Sequence, residues 1–95
     1  MELMKFIPTG RENALPAKEL ARLAGYKDVR TMQQDIHRLR KAGHVILSAT
    51  DQPNGYFLPD SSSDISRFVR SMNSRVREIK VAVRAAEQYL DGGHG

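Results

Sequence analysis

Apolar residues recur at intervals of three and four in three early segments of the chain, and this spacing predicts amphipathic helices. The segments are residues 1–7, 16–24 and 28–42. Gly25 is placed to end the second helix, and Asp28 is a good N-cap for the third. The positions expected to face the core are Leu3, Met4, Ile7, Ala17, Leu20, Ala21, Leu23, Ala24, Val29, Met32, Ile36 and Leu39.

The pattern changes after the third helix. Residues 44–50 are rich in β-branched and apolar side chains, and a turn cluster at 51–55 contains the Asn-Gly pair. Residues 56–58 then predict a returning strand, so the segment indicates a β-hairpin. Val45 and Leu47 are expected on one face of it, together with Ala49.

A long helix is predicted after the hairpin, because eight apolar residues alternate spacings of four and three over nearly four heptads. This 3.5-residue period is typical of a coiled coil, and the helix would be roughly 40 Å long. The residues of this apolar stripe are Ile65, Val69, Met72, Val76, Ile79, Val83, Ala86 and Leu90.

Three interpretations of the long helix compete. It could pack back on the preceding domain, bind nucleic acid through its basic side chains, or pair with a second copy as a homodimer. Self-association is favoured, because a helix longer than its domain cannot bury its whole stripe alone. The β-branched residues at heptad position a favour two parallel strands.

Composition and charge limit the function classes. The 95 residues suit one small domain, and 40% hydrophobic with 27% charged residues is neither a disordered nor a membrane composition. Without cysteine, disulfides and thiol chemistry are excluded. The N-terminus lacks the layout of a signal peptide, so a cytoplasmic location is expected. The net charge of +4 suggests a polyanionic partner.

No catalytic chemistry is indicated. His37, His44 and His94 are too far apart in sequence to suggest a metal-ligand set, and phosphate-binding glycine loops and a nucleophile elbow are missing. We therefore expect no enzyme activity, cofactor, metal or small-molecule substrate.

The third helix has a surface suited to DNA. Its face opposite the core is rich in hydrogen-bond donors, and a helix of this kind fits the major groove. Asp35 is the one acid on that face, and we expect it to pair with Arg38 or with the preceding turn. The residues expected to contact DNA are Lys27, Arg30, Thr31, Gln33, Gln34, His37, Arg38 and Lys41, with Arg67 or Arg70 as further phosphate contacts.

Three motifs within residues 18–58 carry a family resemblance: KELARLAG, RTMQQDIHRLRKAGHVI and NGYFL, in that order. The segment resembles the winged helix–turn–helix domains of DeoR-type and biotin-repressor-type regulators. The whole chain is similar to small uncharacterised proteins encoded in prophages of Gram-positive bacteria. The resemblance implies that Arg30, Thr31, Gln33, Gln34, His37 and Arg38 line a DNA-facing helix.

Together these patterns predict an α+β chain. It would comprise a winged helix–turn–helix domain at 1–59, with three helices and a β-hairpin wing, a long helix at 60–91 and a disordered tail at 92–95. The expected function is double-stranded DNA binding in phage-type regulation of transcription or replication. A protein-interaction adaptor and a phage DNA-packaging component are the alternatives.

Overall fold

The computed structural model describes residues 2–93, which form an α+β structure of three short helices, a two-stranded hairpin and a long C-terminal helix. Most of the residues that the apolar spacing predicts to be helical lie in helices. In chain order the elements are a 3-10 helix at Glu2–Phe6, a 3-10 turn at Arg11–Asn13, α1 at Ala17–Leu23, α2 at Val29–Lys41, β1 at Leu47–Ala49, β2 at Gly55–Phe57 and α3 at Ser62–Gln88.

The first helix differs from the expected α-helical turns, because Glu2–Phe6 is a 3-10 helix. Five residues ahead of a proline are too few to offset the cost of starting an α-helix. Leu3 and Ile7 are nevertheless buried, so the expected apolar side of this segment faces the core.

Helix α1 begins at Ala17, with Pro16 at the N-cap position, and a positive φ of 81° at Gly25 follows its end. Leu20 and Ala21 are buried as expected. The expectation for Leu23 was wrong, since its side chain is 43% exposed. Helix α1 has seven residues and packs mainly against α2, so only the side that faces α2 is buried, and Leu23 lies outside that side.

Helix α2 starts as its sequence predicts. The Asp28 carboxylate accepts a hydrogen bond from the Thr31 backbone N–H at 2.7 Å, which satisfies one of the unpaired donors of the first turn. This bond holds the pKa of Asp28 below its usual value. Met32, Ile36 and Leu39 are all buried, so the 3.6-residue period of the core face is confirmed.

The hairpin is shorter than expected. Leu47 pairs with Phe57 and Ala49 pairs with Gly55, in an antiparallel ladder of three residue pairs. Residues 44–46 lie outside it, so Ile46 is buried while Val45 is 48% exposed, the reverse of the expected alternation. The alternation of a strand does not apply there, because the segment is still leaving the end of α2.

Strand β2 is also bonded on its other side, by the segment that precedes α1. Leu15 and Tyr56 exchange two backbone hydrogen bonds, of 3.0 and 2.8 Å, and the Leu58 N–H donates to the Pro8 carbonyl at 2.7 Å. The hairpin is therefore fastened to the N-terminal half of the chain by its backbone. Two groups of buried side chains lie around it: Leu3, Ile7, Leu20, Ala21, Met32, Ile36, Leu39 and Ile46 in the larger, and Ala14, Leu47 and Phe57 in the smaller.

Helix α3 contacts the hairpin only with its first turns. Phe68 is half-buried against the cluster that contains Leu47 and Phe57, and every residue at positions 75–88 is exposed. The predicted helix 60–91 ends as an α-helix at Gln88, and a wider closing turn spans Tyr89–Gly93. Of the predicted disordered tail, residues 92 and 93 lie in that turn, and 94–95 lie outside the described residues.

Candidate nucleic-acid interface

The residues expected to contact DNA are all exposed. Seven of them lie on α2 and one, Lys27, lies in the turn before it. Arg30, Gln33, Gln34, His37 and Arg38 together line one open depression of about 370 Å³ on the side of the helix away from the core. The structure therefore brings five of the eight residues into a single surface.

Three of the five side chains in this depression are available to a ligand. Neither Gln34 nor His37 forms a hydrogen bond with another residue of the described chain 2–93, and Arg30 forms no ion pair there. Glutamine presents a donor beside an acceptor and arginine presents a pair of donors, and these match the edges of adenine and guanine in the major groove. The surface thus combines free hydrogen-bonding groups with positive charge.

Asp35 beside this surface bonds to both of the partners that the sequence suggested. Its Oδ1 atom accepts a hydrogen bond from Arg38 at 3.0 Å, and its Oδ2 atom accepts one from the Tyr26 hydroxyl at 2.6 Å. Tyr26 belongs to the turn between α1 and α2, so this carboxylate fastens the turn to the helix. A carboxylate engaged in this way repels a nearby phosphate less than a free one would.

One side chain of the surface is tied to the hairpin. Gln33 donates a hydrogen bond from Nε2 to the Tyr56 hydroxyl at 3.2 Å, and Tyr56 itself packs against the larger core cluster. This contact fixes the position of β2 beside α2. Gln33 is consequently less free for base contact than Gln34.

Lys27 and Lys41 lie at the two ends of the surface. Lys27 lines a separate depression of about 500 Å³ between α1 and the start of α2, together with Lys18 and Arg22. Lys41 is the last residue of α2. These lysines could contact the phosphates of a DNA backbone that passes the ends of α2. Contacts of this kind position a protein on the duplex.

Sequence analysis missed the role of Arg40. Its guanidinium donates two hydrogen bonds to the Ile46 carbonyl, at 2.9 and 2.7 Å, and lies 5.5 Å from the centre of the Phe68 ring. Partial burial lowers the pKa of this side chain. The signal was present in the sequence, since Arg40 follows Ile36 by four residues and therefore shares its side of the helix.

Arg11 was also missed, and it holds the tip of the hairpin. Its guanidinium donates to the Pro53 carbonyl and, at 2.9 Å, to the Asp51 carbonyl, and it lies 5.9 Å from the centre of the Phe57 ring. The tip residues 51–54 include an acid and no lysine or arginine. Arg11 is bonded to the hairpin tip, and residues 47–57 of the hairpin contain no lysine or arginine that could bind a phosphate.

The apolar stripe of α3 is largely uncovered. Ile65 is the least exposed of its long aliphatic residues at 37%, and Ile79 reaches 62%. Met72 is half-buried, and Leu90 lies in the closing turn beyond the α-helix. Only the first turns of α3 therefore pack back on the domain, through Phe68 on the neighbouring face, and the stripe from Val76 onward is exposed. The remaining stripe residues are Val69, Val76, Val83 and Ala86, all exposed.

Within 2–93, no three or more His, Asp or Glu side chains are grouped so that they could hold a metal ion. None of the helices in this range is long and apolar enough to cross a membrane. Comparison of the chain with protein-family models, curated proteins and solved structures gave no significant match.

Proposed function

We propose that this chain is a winged helix–turn–helix protein that binds double-stranded DNA through the exposed face of α2. The observation that supports this most directly is the surface formed by Arg30, Gln33, Gln34, His37 and Arg38, opposite the buried face of the same helix. A helix that buries one face and presents free donors on the other can lie in a major groove.

The surroundings of α2 support the same class of fold. Leu15 bonds to β2 as a third strand would, and Gln33 joins the hairpin to α2. The short α1 precedes α2 by a tight turn, as the first helix of a helix–turn–helix does. In this arrangement α2 is the recognition helix and the hairpin takes the place of the wing.

The roles of the side chains differ. Gln34 is the candidate for base edges, because it is exposed and lies near the middle of the surface. Arg30, in the first turn of α2, contacts a phosphate. Lys27 and Lys41 at the helix ends contact phosphates, and Arg38 does so while it remains paired with Asp35. The hairpin tip, without a basic residue, makes little contribution to affinity. The cellular role we propose is regulation of transcription or replication.

The first experiment is a salt titration of binding to a labelled mixed-sequence duplex, followed by fluorescence anisotropy. We expect the logarithm of the binding constant to fall linearly with the logarithm of salt concentration, by about 0.9 for each phosphate neutralised. Arg30→Ala should reduce that slope by about one phosphate. An absence of binding at low salt would contradict the proposal.

The matched control is Arg84→Ala, which removes an exposed arginine from α3 and leaves α2 intact. It should leave affinity and slope unchanged. An equal loss from both variants would show that the basic residues of α3 bind the phosphates. On a selected site, Gln34→Ala should weaken binding by about 1–3 kcal/mol, and Gln52→Ala in the hairpin should not.

A protein-interaction adaptor is the second candidate, and the exposed apolar stripe of α3 favours it. An adaptor would be indifferent to Arg30→Ala and Gln34→Ala. Its binding would instead respond to changes on α3.

A further inference from the structure

Among the described residues 2–93, nothing covers the apolar stripe of α3 from Val76 onward. The globular part contacts α3 through an adjacent face that includes Phe68, and this contact ends before position 75. Beyond it, Val76, Ile79 and Val83 are 45%, 62% and 50% exposed. The stripe continues along one side of α3 at coiled-coil spacing, so a second helix can pack along most of the stripe.

We propose that a second copy of α3 covers this stripe in antiparallel orientation, with Val76 of each copy packed against Ile79 of the other. The centre of the pairing then lies between positions 77 and 78. The proposal concerns α3 alone and does not depend on DNA binding by α2.

The flanking charges disfavour the parallel alternative. With Val69, Val76 and Val83 at heptad position a, a parallel dimer in register places Arg75 of each copy beside Lys80 of the other. This like-charge contact occurs twice because of the symmetry. No opposite-charge pair offsets it, since the other flanking pairs are Phe68 with Asn73 and Ala82 with Glu87.

The antiparallel pairing removes these contacts. It sets Arg75 beside Ala82 and Lys80 beside Asn73, so none of the flanking pairs joins like charges. Repulsion between the two copies is therefore lower than in the parallel dimer, at the same apolar burial.

The seam also packs more evenly. In a parallel dimer, Ala86 of one copy packs against Ala86 of the other, and two such small side chains leave space in the seam. In the antiparallel dimer each Ala86 packs against Val69 of the other copy, which fills more of that space. Every stripe position then faces another stripe position. The facing pairs are Ile65 with Leu90, Val69 with Ala86, Met72 with Val83 and Val76 with Ile79.

Cysteine crosslinking tests the orientation, because the native chain has no cysteine. Val69→Cys and Ala86→Cys chains are prepared separately, oxidised alone and oxidised after mixing. We expect a disulfide-linked dimer only in the mixture, since positions 69 and 86 of different copies face each other. A crosslinked dimer from Val69→Cys alone would overturn the antiparallel orientation.

Sedimentation equilibrium over a concentration series tests the association itself. The native chain should be dimeric, and Val83→Asp should raise the dimer dissociation constant at least tenfold. Val81→Asp is the matched control, because Val81 lies on the same helix, is 70% exposed and is off the stripe. The pairing is wrong if the native chain stays monomeric throughout, or if the two variants weaken the dimer equally.

Discussion

Gly55 shows how one residue decides the position of the hairpin. Its φ is +119°, and a β-carbon added there would lie 1.8 Å from the Leu15 carbonyl oxygen. The close approach of Leu15 to β2 therefore requires a residue without a side chain. The Asn-Gly pair that indicated the turn in sequence also permits the contact between β2 and the N-terminal half.

We expect Gly55→Ala to lower the free energy of unfolding by roughly 3 kcal/mol or more, because it adds a clash with the backbone to an unfavourable φ. Urea denaturation measures the change. Gly43→Ala is the control, since Gly43 also has a positive φ but a β-carbon there meets no atom within 4 Å. Its cost should be only about 1–2 kcal/mol. Equal losses from the two variants would contradict the close approach of Leu15.

The pair Tyr26 and Asp35 couples the turn before α2 to the helix. Burial, and then the hydrogen bond and charge of Asp35, raise the pKa of Tyr26 to about 12. In the unfolded chain the pKa of a tyrosine is about 10. The folded chain thus holds this proton more tightly, so the associated stability is complete below pH 10 and is lost as the pH rises through 12.

Titration of the three tyrosines by ultraviolet absorbance should therefore resolve one step near pH 12. Tyr26→Phe should remove that step, and Asp35→Asn should move it towards lower pH. Tyr89→Phe removes an exposed tyrosine and should leave the step in place. A step near pH 12 that persists in Tyr26→Phe would show that Tyr26 is not its source.

At the scale of elements, Phe68 connects α3 to the rest of the molecule. It packs on the cluster of Ala14, Leu47 and Phe57, and the Arg40 guanidinium lies over its ring. Arg40 in turn bonds to the Ile46 carbonyl at the start of the hairpin. One aromatic ring and one arginine therefore join α2, β1 and α3.

We expect Phe68→Ala to destabilise the protein by roughly 2 kcal/mol, less than for a fully buried phenylalanine because the ring is half-buried. Hydrogen exchange should show that the first turns of α3 lose protection more than α2 does. Val81→Ala is the control on the same helix, and it should be nearly neutral. Unchanged protection at residues 64–72 in Phe68→Ala would contradict this docking.

At the scale of the whole molecule, residues 2–93 expose two faces to which the proposals apply, and these faces differ in chemistry. The face of α2 is polar and basic, and the stripe of α3 is apolar. The described chain measures 54 × 32 × 26 Å, because α3 continues beyond the globular part that it contacts. Separate faces allow a DNA contact and a dimer contact to form together, and the two proposals can fail independently.

Much of this structure could be predicted from the sequence, because the information is local. The spacing of Met32, Ile36 and Leu39 determined α2 and its buried face, and Asp28 determined where the helix begins. The same periodicity determined that the opposite face of α2 is exposed, and it marked the stripe of α3.

Only the tertiary structure decided which apolar and charged residues are used, because this depends on contacts between distant segments. Ile46 is buried because neighbouring elements cover it, whereas Leu23 is exposed because none covers it. Arg11 bonds to the backbone carbonyls of Asp51 and Pro53, far along the chain, which no local pattern encodes. For Arg40 the sequence indicated the side of α2 on which it lies, and the fold decided that the Ile46 carbonyl is its acceptor. The docking of α3 through Phe68 was likewise settled by the fold, because the hairpin that receives this ring lies elsewhere in the sequence.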